Sequence, residues 1–426
     1  MSDDGRAASM PEFTPVETLV VISQVYVPDA MAVGQQLADA AEEMARRGWR
    51  VIVYTSNRGY DDPDVRFPSR ERRNGVEIRR LPLSSFGKTS IPIRLLAQSL
   101  FLGQAVLRTL FVPRLTAVLT STSPPFGGAG GGLVTMLRRC RSIWWAMDIN
   151  PDQMVAAGKL GPKSLPVRVF EWLNKLTLNR AGDVIVLDRF MADRIRGKRD
   201  VGTRMKIIPP WAHEQHLEVI SHSENPFRSS HGLEGKCVIM YSGNAGLSTP
   251  LDTLLAAAKR LENDSRFHFM FIGGGIIKRQ IDDMVQRESP PNVSCLPYQP
   301  LERIKYSLSA ADMHVVSIGD DSVGIIHPCK IYGAMALGKP ILALGPDASH
   351  LGDIVRESKG GWIHRHGDVD GVVATLERFA DLPQGERDAI GARSVASLLS
   401  HYRPATLLAT VCDLIAGERL PQGAER

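Results

Sequence analysis

The chain has 426 residues, 43% hydrophobic and 23% charged, with a formal net charge of +5. That length exceeds what one hydrophobic core usually holds and points to two domains of roughly 200 residues each, while the ordinary composition excludes disordered and fibrous classes. The five cysteines (Cys140, Cys237, Cys295, Cys329, Cys412) are odd in number, far apart and without a C-x-x-C pair, which argues against a disulfide framework or a zinc site and fits a reducing cytoplasm.

The N-terminal stretch MSDDGRAASMPEFTPVET is polar and starts with acids, unlike a signal peptide, which opens with a basic region and an apolar run. Leu19-Val20-Val21-Ile22 is a short apolar strand. A loop spans Ser23 to Val33, and a helix from Gly34 to Arg47 carries Leu37, Ala40, Ala41 and Met44 on one face. Gly48 stops that helix and Val51 to Tyr54 opens the next strand.

Between Arg66 and Arg114 the sequence holds ten Lys or Arg against two acids, Glu71 and Glu77. Within it, Phe101, Leu102, Ala105, Val106, Leu107 and Leu110 recur at near-helical spacing. Two readings stand: a helix packed on its own domain with a solvated basic face, or one lying on an anionic membrane surface. Pro92 to Val112 is the nearest approach to a membrane span, but Arg94 and Arg108 interrupt it, so no transmembrane helix is expected. Further strands are read at Ala117 to Thr120, Ser142 to Ala146 and Asp183 to Leu187, with a helix at Phe170 to Asn179. This alternation of strand and helix implies a doubly wound parallel sheet.

Residues 209–235, rich in Pro, His, Ser, Asn and Glu, read as a linker between an N-terminal domain (1–208) and a C-terminal one (236–400). The second series runs from a strand at Val238 to Tyr241 through alternating elements to a strand at Pro340 to Leu344. A C-terminal helix and tail, 401–426, is a candidate to pack back on the N-terminal domain.

In doubly wound sheets ligands bind at the C-terminal strand ends, where glycine turns let backbone amides approach phosphate. Three turns fit: Ala32-Val33-Gly34, Ser242-Gly243-Asn244-Ala245-Gly246 and Gly273-Gly274-Gly275. None is a G-x-G-x-x-G or a G-x-x-x-x-G-K-[ST] fingerprint, which counts against a dinucleotide-dependent oxidoreductase and a P-loop NTPase. Asp148 follows the apolar run Ile143-Trp144-Trp145-Ala146-Met147 and so belongs at a strand's C-terminal end. It is either a polar group of an active site or the cap of a turn with Asn150 and Pro151.

The stretch Val323-Gly324-Ile325-Ile326-His327-Pro328-Cys329-Lys330-Ile331-Tyr332-Gly333-Ala334-Met335-Ala336-Leu337-Gly338-Lys339-Pro340 resembles glycosyltransferase family 4, in which a helix between a P-x-K-x-Y element and A-x-G-K-P faces a donor sugar and its diphosphate. Met240 to Asn244 followed by Pro250 to Leu254, Thr122 to Pro125, Asp148 to Asp152 and Ala310 to Met313 carry the resemblance along the chain, toward the branch of colanic acid and fucosamine glycosyltransferases.

The resemblance implies a GT-B fold, two Rossmann-like doubly wound domains facing a central cleft. It further implies a retaining, metal-independent transfer from a nucleotide-sugar to a lipid-linked or polysaccharide acceptor in cell-surface polysaccharide synthesis. The cysteine usage and the N-terminus point to a cytoplasmic protein, and the basic amphipathic stretch leaves open a peripheral place on the inner face of the membrane. Asp148 and Lys330 are then the expected catalytic pair. Gly34, Gly243, Asn244, Gly246, Lys278, His327, Lys330, Tyr332 and Gly333 are the expected donor-binding set.

Two departures from the family pattern stand out. The E-x7-E glutamates are replaced by Ile325 and Gly333, and Leu247, Ser248, Thr249 and Pro250 occupy the loop where an Arg and a Lys commonly meet the diphosphate. A nucleotide-sugar epimerase of the same fold and a non-catalytic sugar-nucleotide binding protein are therefore the competing readings. No metal or other cofactor is expected, because Asp61-Asp62 and Asp320-Asp321 are loop carboxylates without His or Cys partners at ligand spacing. Nucleic acid is not expected as a partner, since the basic stretch has no interleaved aromatics.

Overall fold

The computed structural model describes residues 17–29, 31–59, 64–84, 91–212 and 218–418. The acidic pair Asp61-Asp62 lies outside them. In chain order the elements of the first part are β1 (Thr18–Ile22), α1 (Ala32–Arg46), β2 (Arg50–Ser56), β3 (Arg70–Arg73), β4 (Val76–Leu81), α2 (Ile91–Leu110), β5 (Leu115–Ser121), α3 (Gly127–Arg138), β6 (Arg141–Trp145), α4 (Asp152–Ala156), α5 (Leu165–Arg180), β7 (Asp183–Val186), α6 (Arg189–Lys198) and β8 (Met205–Ile207). The second part holds α7 (Pro226–Ser230), β9 (Cys237–Asn244), α8 (Asp252–Arg260), β10 (Phe267–Gly274), α9 (Ile276–Glu288), β11 (Val293–Leu296), α10 (Ile304–Ser309), β12 (Met313–Ser317), α11 (Lys330–Ala336), β13 (Ile341–Leu344), α12 (His350–Ser358), β14 (Gly361–His364), α13 (Val369–Asp381), α14 (Gln384–His401) and α15 (Pro404–Ala416).

An eight-stranded sheet runs in the order β3-β4-β2-β1-β5-β6-β7-β8, and a six-stranded sheet in the order β11-β10-β9-β12-β13-β14. Every paired strand of the second sheet is parallel to its neighbour. In the first, β1 pairs in parallel with β2 and β5, β2 with β4 and β5 with β6, whereas the edge strand β3 is antiparallel to β4. Helices on both faces of a parallel sheet bury alternate residues equally, so its strands read as continuous apolar runs. Leu19, Val20, Val21 and Ile22 are accordingly all fully buried.

The chain divides into two compact units. The first holds the described residues up to Trp145, Leu176–Val184, and those from Val411 onward; the second holds Ala146–Lys175 and Ile185–Thr410. This differs from a division at 208, because the segments that leave β6 and β7 at their C-terminal ends are bonded to the loop before α11. Ile149 N donates to Ile325 O at 2.9 Å, and Arg194 Nε to Val323 O at 2.8 Å. The end of α15 counts with the first unit: Arg47 donates to Asp413 Oδ1 at 2.7 Å and Arg141 to Leu414 O at 2.7 Å.

Helix α2 corrects the face read from the periodicity. Phe101, Ala105 and Val106 are buried in the core with Val20, Ile52 and Val118, and Leu102 and Leu110 pack against that core. The residues left exposed are Ile93, Leu96, Leu100, Leu107 and, just past the helix end, Phe111.

Helix α3 has no signal in the sequence, since Gly127-Gly128-Ala129-Gly130-Gly131-Gly132 is a poor helix former. Packing overrides propensity: a Cβ on Gly128 would fall 2.3 Å from Thr177 Cγ2, and one on Gly130 2.6 Å from Leu102 Cδ1. The bare backbone lets α2, α5 and the sheet close on α3 from three sides.

A pair of substitutions with opposite signs checks this. Gly128→Ala should destabilise by about 1–3 kcal/mol in urea unfolding despite its better propensity, because over-packing outweighs the gain. Gly103→Ala, exposed on α2 with no atom within 4 Å of the added Cβ, should stabilise by about 0.5–1 kcal/mol.

Candidate active site

All the site residues expected from the sequence except Gly34 fall in the second unit. Gly34 lies in the first turn of α1 in the first unit, where its missing side chain lets the loop at Tyr26 approach; an added Cβ would sit 3.1 Å from Tyr26 Cα. The other two glycine turns lie side by side. Strands β9 and β10 pair to their very ends, Gly243 opposite Gly273 and Asn244 opposite Gly274. Both Gly243 (φ +124°) and Gly273 (φ +125°) use backbone open to glycine, and a Cβ on Gly273 would fall 2.2 Å from Gly243 O. Gly246 follows in the same loop, where its carbonyl accepts from Thr249 N at 3.0 Å.

Lys330, the first residue of α11, reaches over this turn. Its ammonium donates to Asn244 O at 2.7 Å and to the hydroxyl of Tyr241, and lies 4.5 Å from the Tyr241 ring centroid. Tyr241 is itself buried and donates to Asn244 O at 2.7 Å. A Cβ at position 243 would stand 2.4 Å from Lys330 Cε, so the lysine occupies the space that this glycine leaves free. No carboxylate among the described residues pairs with Lys330. Burial without a counter-charge pushes its ammonium pKa down to about 8. The result is a cation seated at the C-terminal ends of two parallel strands and lacking an anion.

Behind α11 lies a buried polar network. Asp188 follows β7 and caps α6, accepting from Met191 N at 2.8 Å. His327 Nδ1 is 2.7 Å from Asp188 Oδ2, and its Nε2 is 2.9 Å from Tyr332 Oη, which is also 2.9 Å from His350 Nε2. The Tyr332 hydroxyl donates to one imidazole and accepts from the other. Burial pushes Asp188 up, but the hydrogen bond from His327 outweighs it and holds the carboxyl below its usual range. Burial pushes His350 well down and Tyr332 well up, so both stay neutral.

Of the residues expected to bind the donor, Tyr332 is fully buried and His327 nearly so, each bonded inside the network that holds α11 from behind. Lys278 is only 3% exposed, and its ammonium is bound by Asp282 one turn along α9. Ligand atoms of Asp188, His327 and His350 lie within 4.8 Å of one another, the one potential metal-holding group among the described residues. Sequence spacing hid this grouping, since 139 residues separate Asp188 from His327.

Asp148 is half-buried, three residues past β6, and forms a β-bridge with Ile326, next to His327. Asn150 Nδ2 approaches Asp148 Oδ1 at 3.5 Å, and Asn174 donates to Asn150 O at 2.6 Å, fixing this turn. The bridge brings the Asp148 segment and the loop before Lys330 together, although Asp148 and Ile326 are 178 positions apart in the chain (326 − 148). At the positions of the absent glutamates, Ile325 is buried, whereas a Cβ on Gly333 would meet no atom within 4 Å. Asp320 and Asp321 are exposed in a short 3-10 turn.

Sequence reasoning gave no role to Tyr241, Asp188 or His350. Tyr241 sat inside a quoted motif, and Asp188 directly after an apolar strand carried a usable N-cap signal; nothing local marks His350.

Residues 32–211 match the family described as glycosyl transferase 4-like domain, and 236–381 match glycosyl transferases group 1. Among curated relatives, WbjE of Pseudomonas aeruginosa, described as a glycosyltransferase, is 25% identical over 68% of this chain and 73% of its own. WcaI of Escherichia coli K12, described as a colanic acid biosynthesis glycosyl transferase, is 22% identical over 79% of this chain and 85% of its own. Among solved structures, sucrose-phosphate synthase from Thermosynechococcus elongatus superimposes with a TM-score of 0.74 at 16% identity, covering 94% of this chain and 98% of that one. Anabaena HepE in complex with UDP-glucose gives 0.69 at 12% identity, covering 94% and 99%. The fold is GT-B, two Rossmann-like halves each built on a parallel sheet.

Acid should expose the buried imidazoles. His350 is held neutral by burial, and burial also lowers His268 and His314, each to about 4. The unfolded chain therefore binds more protons than the native one between about pH 6.5 and 4, and stability must fall as pH drops through that window. Urea midpoints measured from pH 7.5 to 4.5 should decline steadily; a flat profile would contradict neutral burial.

Proposed function

We propose, from the premise that the chain belongs to the family 4 glycosyltransferases, that it moves a sugar from a nucleotide-sugar donor to a lipid-linked or polysaccharide acceptor. The observation that carries this is the Lys330 ammonium, half-buried without a carboxylate at the Gly243-Asn244 turn. As the glycosidic bond breaks, negative charge gathers on the leaving nucleoside diphosphate, and a positioned cation there lowers the barrier. Lys330 supplies that charge, the glycine turns of β9 and β10 give backbone access to phosphate, and the reaction is metal-independent and retaining. Asp148, held by the bridge to Ile326, is the polar group nearest in role to the reacting sugar.

Two findings support this reading. HepE was solved with UDP-glucose, and WcaI is described as acting in colanic acid biosynthesis. For this chain the corresponding setting is cell-surface polysaccharide synthesis, by a cytoplasmic protein at the inner face of the membrane. No helix among the described residues is long and apolar enough to cross a bilayer, so that contact is peripheral.

Substitution and pH give the test. Lys330→Met should reduce turnover by roughly 10²–10³-fold, the usual consequence of losing one preorganised charge partner of a transition state. Binding of UDP-, GDP-, TDP- or ADP-sugar to the unmodified protein, followed by calorimetry, should weaken as pH rises through about 8, where the free-state ammonium is lost. Asp148→Asn should lower turnover while leaving donor affinity within a few-fold. Donor affinity independent of both Lys330 and pH would remove this site from the reading. Donor conversion without any acceptor would favour an epimerase.

A further inference from the structure

The first unit carries a surface that donor chemistry does not use. On α2, Ile93, Leu96, Leu100 and Leu107 stand at helical spacing on the outer face, continued by Phe111, which is 79% exposed. Helix α3 packs beside α2 and adds exposed Leu133, Met136 and Leu137. Neither helix contains a single Asp or Glu, whereas Arg94, Arg108, Arg114 and Arg139 are exposed along or just beyond them. Large apolar side chains exposed contiguously signal a docking surface.

At the Phe111 end of this stripe opens a cavity of about 500 Å³ whose lining includes Arg50, Arg70, Arg79, Arg80, Arg108 and Phe111 itself. Arg50 and Arg79 share one carboxylate, Glu77, and Arg80 pairs with Glu71. No carboxylate among the described residues pairs with Arg70 or Arg108, which leaves five guanidiniums against two carboxylates, an excess of three positive charges. Arg80 is pinned: its side chain is 1% exposed, donating to Pro68 O and Val27 O at 3.2 Å each and lying over the Phe67 ring. The carbonyls that end α2 would repel an anion, but Arg138 covers them, donating to Leu110 O and, at 3.0 Å, to Val112 O. The cavity is therefore built positive and opens beside exposed apolar side chains.

We propose that this arginine cavity takes the phosphate headgroup of an anionic phospholipid while the α2–α3 stripe enters the acyl boundary of the same leaflet. The pairing of a fixed cationic pocket with an acid-free apolar stripe fits a lipid, which offers a phosphate and hydrocarbon together. An acidic protein would need no exposed Leu96 or Phe111, and a second copy of this chain would set the same arginines against each other. The inference rests on the peripheral-membrane part of the proposed function and is independent of the donor site.

The full-length protein is sedimented with vesicles of pure phosphatidylcholine and of phosphatidylcholine with 30% phosphatidylglycerol. Binding is expected to the anionic vesicles only. The double variant Arg70→Gln/Arg108→Gln should weaken it roughly tenfold or more, at about 1 kcal/mol per basic residue near such a surface. Leu96→Ser/Phe111→Ser should weaken it comparably. All four positions are exposed, so melting temperature and donor-induced thermal shift should stay unchanged in both variants. Glycerophosphoglycerol, the soluble headgroup, should compete only weakly; full displacement by it or by inorganic phosphate at low millimolar levels would mean a soluble phosphate ligand and overturn the lipid assignment. Anionic binding that persists in the arginine variant would overturn the cavity while sparing peripheral attachment. No binding of the unmodified protein to either vesicle would overturn both. A concentration-dependent dimer lost in Leu96→Ser/Phe111→Ser would make the stripe a self-association face instead.

Discussion

An ammonium taken partly out of water without a carboxylate is expensive, and the surroundings of Lys330 are arranged around that cost. Tyr241 and Asn244 answer it with neutral oxygens, which solvate the charge without cancelling it. Their placement requires β9 and β10 to stay paired through Asn244 and Gly274, and that pairing requires glycine at 243 and 273, where the backbone turns through φ near +125°. The sheet register thus sets the position of the carbonyl, the carbonyl sets the position of the ammonium, and the depressed pKa near 8 follows from both. An anion bound there would recover the desolvation cost, because it favours the charged lysine.

Helix α11 is only seven residues long and cannot hold Lys330 in place by its own hydrogen bonds. The Asp188–His327–Tyr332–His350 network does so from behind, joining the cap of α6, the loop before α11, α11 itself and the start of α12. The start of α6 is tied at two further points. Arg189 holds Asp353 of α12 with two hydrogen bonds of 2.6 and 2.9 Å, and Gly324 lets the loop before α11 touch the backbone of Phe190. A fully bonded buried network of this kind permits one arrangement of its members and penalises the others. Removing the Tyr332 hydroxyl would leave two imidazoles short of a partner at once.

Much of this was legible in the sequence, for reasons that differ by element. The apolar runs of β1 and β9 announced parallel strands because both faces of each are buried, and the glycine turns announced the strand ends because positive φ restricts the residue type. Gly243 and Asn244 belong to one such turn, and Lys330 reaches them from α11, 86 positions further along the chain. What stayed hidden depends on partners distant in sequence. The glycine run of α3 opposes helix by propensity and is helical only because Thr177 and Leu102 press against it. His327 and Tyr332 carry the chemistry expected of a binding site, and their burial is decided by Asp188 and His350, which no local pattern connects to them. On α2 the apolar periodicity was correct, but two stripes satisfy it, and only the packed structure shows that Phe101 and Ala105 go inward while Leu96 and Phe111 remain outside.

The two positions where family glutamates are replaced also acquire a physical meaning. A glutamate at 333 would stand three residues after Lys330 on the same helix, within reach of an i,i+3 ion pair. Such a partner would raise the lysine pKa and compete with any incoming anion for the ammonium. Gly333 leaves that space open and Ile325 fills its own with a buried apolar side chain, so neither introduces negative charge. The loop at Leu247 to Pro250 lacks the usual additional cations, and the loss of both the glutamates and those cations moves the local charge in compensating directions. On the proposed reading, a lysine freed from carboxylates has its whole charge available to a diphosphate.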